Sequence, residues 1–119
     1  MKVENIKFKA KSLDTNGGLV IGDLVHSTSY VGIGYPSSVF PDVPVVHRVD
    51  PSTVCQFTGL KDKNGTPIYE GDIVTYKDNN AERRGVIVWD SKAAAFCFGQ
   101  DFLVHYPSEN MEVIGNEFD

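Results

Sequence analysis

Apolar Ile6, Phe8 and Ala10 alternate with Lys7, Lys9 and Lys11, a period-two pattern that predicts a strand with one buried and one solvated face. A row of lysines on such a strand is read as protection of a sheet edge against unwanted pairing, the alternative being a cationic binding surface. Asp14-Thr15-Asn16-Gly17-Gly18 is a turn cluster, because Asn and Gly tolerate positive φ, and it leads into Leu19-Val20-Ile21 and Leu24-Val25. Residues 1–25 are therefore expected to form an N-terminal β-hairpin.

Between residues 26 and 52 the pattern breaks. Pro36, Pro41, Pro44 and Pro51 stand among serines and glycines, and proline lacks the donor a central strand needs. The expectation is an irregular excursion with short extended pieces at 29–32 and 43–49. It also carries Tyr30, Tyr35, Phe40, Val43 and Val45, more apolar surface than a solvated loop should expose, which makes these five the candidate partner-binding residues.

Residues 53–119 read as a hairpin followed by a small sheet. Asp62-Lys63-Asn64-Gly65 has the Asn-Gly signature of a type I′ turn. Short strands are then expected near 73–76, 85–89, 93–98, 102–105 and 111–114, separated by polar turns. Such spacing suits a small curled antiparallel sheet, and an SH3-like barrel is expected over 72–114. Its core should include Ile73, Val86, Val88, Trp89, Phe96 and Phe98, with Trp89 largely buried. The fold class is thus mostly β, a single domain made of an N-terminal hairpin, an excursion and a small barrel.

Composition narrows the function. The 119 residues are 41% hydrophobic and 23% charged, the balance of a globular chain with a core of its own. The net charge is −5, and the deficit is local: residues 51–119 hold six basic against eleven acidic side chains, while residues 1–50 hold five of each. Bulk attraction to phosphate or to anionic lipid is therefore disfavoured. The opening residues lack an apolar signal core, and no run approaches the roughly 18 apolar residues of a membrane span, so no membrane partner is expected.

Further along, Gln56-Phe57-Thr58-Gly59-Leu60-Lys61-Asp62-Lys63-Asn64-Gly65 and Ile68-Tyr69-Glu70-Gly71-Asp72-Ile73-Val74 form a long glycine-aspartate signature. With the opening Ile6-Lys7-Phe8-Lys9-Ala10 and the ending Val113-Ile114-Gly115-Asn116, it resembles the YopX family, small proteins of bacteriophages, prophages and related mobile elements. The resemblance implies a mostly β fold and a phage or mobile-element setting, and it implies no reaction; two cysteines 42 positions apart, too few and too distant for a secreted disulfide framework, make the cytoplasm of the bacterial host the expected compartment. Two features depart from the family pattern: Lys11 stands in place of an aromatic, and the excursion matches nothing in it. Read physically, the signature specifies architecture: Gly59 and Gly65 permit turns, Glu70-Gly71-Asp72 marks a bend, and Thr58 can bond the backbone.

Chemistry-bearing residues are few. Glu70 and Asp72 could pair for acid-base work or a hard cation, with His26, His47 or His105 completing a metal-assisted hydrolase, but an aspartate bonding backbone N–H groups beside glycine is the commoner use. Cys55 and Cys97 with His47 and His105 lack the close ligand pairs of zinc sites and are expected to be reduced, metal-free thiols. No nucleotide-binding or nucleophile motif is present, so no cofactor is expected. Lys7, Lys9, Lys11, Arg83 and Arg84, with nearby aromatics, could form a nucleic-acid surface on a small barrel. The favoured expectation is a non-enzymatic interaction module whose partner is another protein or a second copy of the chain. A nucleic-acid-binding barrel is the alternative and the hydrolase the second alternative.

Overall fold

The computed structural model describes residues 2–14 and 18–119, so Thr15, Asn16 and Gly17 of the expected first turn lie outside the described residues. The chain falls into two compact units, Met1–Gln56 and Phe57–Asp119. It is mostly β, built from antiparallel sheets. Among the described residues no helix is long and apolar enough to cross a membrane.

The first unit holds β1 (Phe8–Lys11), β2 (Leu19–His26), β3 (Val31–Pro36), β4 (Pro44–Arg48) and the first residues of β5 (Cys55–Lys61). Their order is β4-β3-β2-β1-β5. The expected hairpin is present, with Ala10 opposite Val20, but β1 is not an edge: it pairs with β2 on one side and β5 on the other, where Lys9 lies opposite Cys55. The lysine row therefore does not protect an edge. Lys9 and Lys11 lie half-buried on one face of an inner strand, whose other face buries Ala10 with Ile33 and Val49, and Lys7 precedes the strand.

The excursion is a meander and not an irregular loop. β3 is an inner strand between β2 and β4, and the prolines mark strand ends: Pro36 faces Pro44 in the last register pair of the β3–β4 hairpin. A proline at the end of a ladder removes no interior bond, which is why proline density misleads here.

In the second unit β5 runs on to Lys61 and returns as β6 (Pro67–Tyr69). Gly59, at φ +87°, sits at the register shift between them. The turn is not type I′: only Gly65 has positive φ (+81°), its N–H bonds the Asp62 carbonyl, and the Asp62 N–H bonds the Thr66 carbonyl. This is a type I turn closed by a glycine bulge, because Asp62 takes the Asn64 N–H on its side chain and so holds that residue out of the left-handed region.

A five-stranded sheet follows, made of β7 (Asp72–Lys77), β8 (Glu82–Asp90), β9 (Ala95–Phe98), β10 (Asp101–Phe102) and β11 (Met111–Asn116), in the order β10-β9-β8-β7-β11. The strand expected at 102–105 is instead a 3-10 turn at Leu103–His105. The expected barrel is realised as an open antiparallel sheet, since among the described residues its edges β10 and β11 do not pair.

Register also corrects the expected core. Val74 pairs with Gly85 and Ile87 with Phe98, so Val74, Ile87 and Phe98 point inward and pack with Ile68, Leu103 and Met111. Val86 and Val88 take the opposite face of β8, and Ile73 the opposite face of β7. Trp89 shares the inward face but lies at the strand end, 45% exposed, edge-on to Phe96 at 5.0 Å. Gly85 is required by this packing, because a Cβ there would lie 2.9 Å from the Phe98 ring.

Candidate protein-binding surfaces

Of the five candidate partner residues, Tyr35 and Val45 share the face of the β3–β4 hairpin that buries Ile33, Tyr30 lies just before β3, and Phe40 and Val43 are exposed. Tyr30 lies beneath the Arg48 guanidinium, 5.6 Å from ring centroid to cation. Tyr35 stacks on His47 and its hydroxyl is hydrogen-bonded to His47 Nε2 at 2.9 Å. Val45 is half-buried opposite Tyr35. Phe40 and Val43 are 67% and 61% exposed at the hairpin tip, joined by Val39 at 72%, which the sequence reading did not single out.

The tip is ordered by its own hydrogen bonds. Ser37 Oγ accepts the N–H groups of Val39 and Phe40, each at 3.2 Å, and the Val43 N–H donates to the Phe40 carbonyl at 2.9 Å. Three apolar side chains are thus held in water by a hydrogen-bonded frame seated on paired strands.

A second apolar surface lies within the second unit. A groove of about 430 Å³ runs beside the 3-10 turn, walled by Leu60, Phe96, Phe102, Val104, Tyr106 and Pro107, with the hydroxyls of Thr58, Ser108 and Tyr106 as its side-chain polar groups. Phe102 and Val104 are 42% and 84% exposed. Tyr106 is fixed in the wall: its hydroxyl donates to Asp101 Oδ2 at 2.7 Å and accepts from Arg83 Nη1. That bond from Tyr106, and then the one from Arg83, hold the Asp101 carboxyl below the ordinary aspartate range, while the Tyr106 hydroxyl is raised by its bond to Asp101. Sequence reasoning missed this groove because 102–105 was read as a strand, which would have placed Phe102 and Val104 in a ladder.

The two arginines of the nucleic-acid alternative do not share a face. Arg83 faces inward at the sheet rim, over Phe98 and Tyr106 and ion-paired to Asp101 at 2.7 Å, whereas Arg84 lies on the other face opposite Thr75. Two adjacent arginines on opposite faces do not make one phosphate-binding patch. Lys7, Lys9 and Lys11 belong to the first unit.

Asp72 is fully buried, accepting the Tyr69 N–H at 2.7 Å and the Asn116 side-chain N–H at 2.9 Å, the architectural use of this carboxylate. Among the described residues no group of three His, Cys, Asp or Glu side chains is gathered to hold a metal. Cys55 and Cys97 are buried thiols, and the Cys55 thiol donates to the Thr53 carbonyl at 3.3 Å.

Two sheet-built units and a turn network centred on buried aspartates define a mostly β protein whose signature residues serve architecture. The chain belongs to the YopX family, described as YopX protein, whose sequence profile matches residues 37–119. The match takes in the second half of the excursion, which the sequence reading had left without a family pattern, and it begins after the opening strand. No curated protein matches the chain.

Proposed function

We propose that this YopX-family chain is a non-enzymatic protein-binding module of a phage or other mobile element, acting in the bacterial cytoplasm without a cofactor and associating with a second copy of itself. The observation that carries the reading is the β3–β4 tip, where Val39, Phe40 and Val43 are held exposed on a hydrogen-bonded frame. Apolar side chains kept in water by built structure are the feature of an interaction site, and a two-fold contact uses one such patch twice.

The second unit is read as an SH3-like module left open. The support is its strand order, in which the fifth strand returns beside the first after a 3-10 turn. The separation of Arg83 from Arg84 and the net charge of −5 weigh against the nucleic-acid alternative, and the architectural bonds of Asp72 weigh against the hydrolase.

Hydrogen exchange at low and high protein concentration tests the reading. Amides of residues 38–43 should exchange more slowly at the higher concentration, while those of residues 78–81, an exposed turn with no apolar patch, stay unchanged. Concentration-independent exchange at the tip would remove self-association from the account.

A further inference from the structure

We propose that the groove beside the 3-10 turn binds an extended, proline-containing peptide that carries basic residues. This goes beyond the self-association reading, which concerns the first unit's hairpin tip.

Three observations converge. The groove's walls are aromatic and aliphatic, with Phe96, Phe102 and Tyr106 spaced by Leu60, Val104 and Pro107, and the hydroxyls of Thr58, Tyr106 and Ser108 are the only side-chain polar groups of its lining. A trough of aromatic ribs with few polar partners suits a polyproline-II segment, which satisfies its own backbone with water and presents ring and aliphatic faces three residues to the turn. The walls are also preformed: Phe96 is braced by Trp89, and Tyr106 is locked by the Asp101 and Arg83 bonds, so little side-chain ordering remains to oppose binding.

Charge selects the ligand's sign. No charged side chain of either sign lines the groove, so the sign is set by the unit that carries it, which holds six basic against eleven acidic groups, a net of −5. The field around the groove therefore attracts a basic segment and repels an acidic one. The chain's own proline-bearing tip, Pro41-Asp42-Val43-Pro44, has the proline spacing but the wrong sign, and single-stranded nucleic acid has the aromatic affinity but also the wrong sign.

The structure supplies its own reporter. Trp89 is the only tryptophan, half exposed and in edge contact with the groove residue Phe96, so occupancy should change its fluorescence. Four probes are titrated into the full chain: a peptide of about ten residues rich in Pro and Leu with Arg at both ends, the same peptide with Glu ends, a peptide copying residues 36–44, and oligo-dT of about ten nucleotides. Calorimetry gives each affinity independently of the fluorophore.

The Arg-ended peptide should bind at least about tenfold more tightly than the other three, and more weakly as salt is raised. Phe102→Ala should weaken it by about tenfold or more, with the thermal midpoint within a few degrees of the parent's because Phe102 is outside the core. Val104→Asp, at the most exposed wall position, should weaken binding through lost apolar contact without reversing the preference for Arg ends. Tightest binding by the 36–44 peptide would assign the groove to a second copy, and tightest binding by oligo-dT would assign it to nucleic acid. Either result overturns the proposal, as does equal binding of the Arg-ended and Glu-ended peptides or failure of all four to bind.

Discussion

The carboxylate of Asp62 accepts the backbone N–H of Val113, 51 positions along the chain, at 2.9 Å. The same side chain takes the N–H groups of Asn64 and Thr66, each at 2.9 Å, so one aspartate both shapes the β5–β6 turn and ties it to β11. The Lys63 N–H bonds the Met111 carbonyl beside it, which makes the turn a clasp on the last strand. This is the physical content of the Asp-Lys-Asn-Gly signature.

Asp62→Ala leaves three strand and turn N–H groups without their acceptor and should destabilise the protein by on the order of 2–4 kcal/mol. Asp62→Asn, which keeps one oxygen acceptor, should cost less. Urea midpoints of the three proteins check the order.

Acid should act through the same residue. Burial opposes ionisation of Asp62, but the N–H bonds from Val113, Thr66 and Asn64, with Lys63 nearby, outweigh it and hold the carboxyl below the ordinary aspartate value. A depressed folded value means that the stabilisation is complete above the unfolded value of about 3.9 and is lost as pH falls through the folded one. Asp62→Asn should therefore flatten the acid limb of a stability-versus-pH curve below about pH 4, a limb that would be unchanged if the clasp were neutral.

Alkali should find Tyr69. Burial first, and the neighbouring Asp72 charge second, push its phenol up to about 12. A raised folded value gives stability that is intact below the unfolded value of about 10 and declines as pH climbs towards the folded one. Urea midpoints should drop between about pH 9 and about pH 11, and Tyr69→Phe should show a smaller drop than the parent.

How far the sequence could be read depended on whether a signal was local. Gly59, Gly65 and Gly71 do take positive φ, and Asp72 does bond the backbone, because glycine-aspartate turns are set by adjacent residues. Face assignment was harder. Two neighbouring valines and an isoleucine in Val86-Ile87-Val88 offer no polar contrast, so only the register, which pairs Gly85 with Val74 and Ile87 with Phe98, reveals that Ile87 points inward. The excursion failed for the opposite reason, since proline reports that a strand ends and is silent on whether it is inner or edge. At the candidate surfaces Phe40 and Val43 were legible as excess apolar residues, whereas the groove depends on a 3-10 turn that no residue pattern announced.

The corrected core gives a sharp contrast. Phe98→Ala, at 1% exposure, should cost on the order of 3–5 kcal/mol, and Trp89→Ala, at 45% exposure, markedly less. Gly85→Ala should cost on the order of 1–3 kcal/mol by driving a methyl into the Phe98 ring. Equal midpoints for Phe98→Ala and Trp89→Ala would reverse the register argument.

Self-association through the hairpin tip is tested most directly by multi-angle light scattering. The intact chain should run at twice its 13.1 kDa mass at micromolar concentration. A variant carrying Val39→Ser, Phe40→Ser and Val43→Ser, whose changed side chains lie outside the core, should run at the monomer mass with an unaltered circular dichroism spectrum. Moderate salt should leave the dimer intact, because the contact is apolar. Monomer masses for both proteins would contradict the claim.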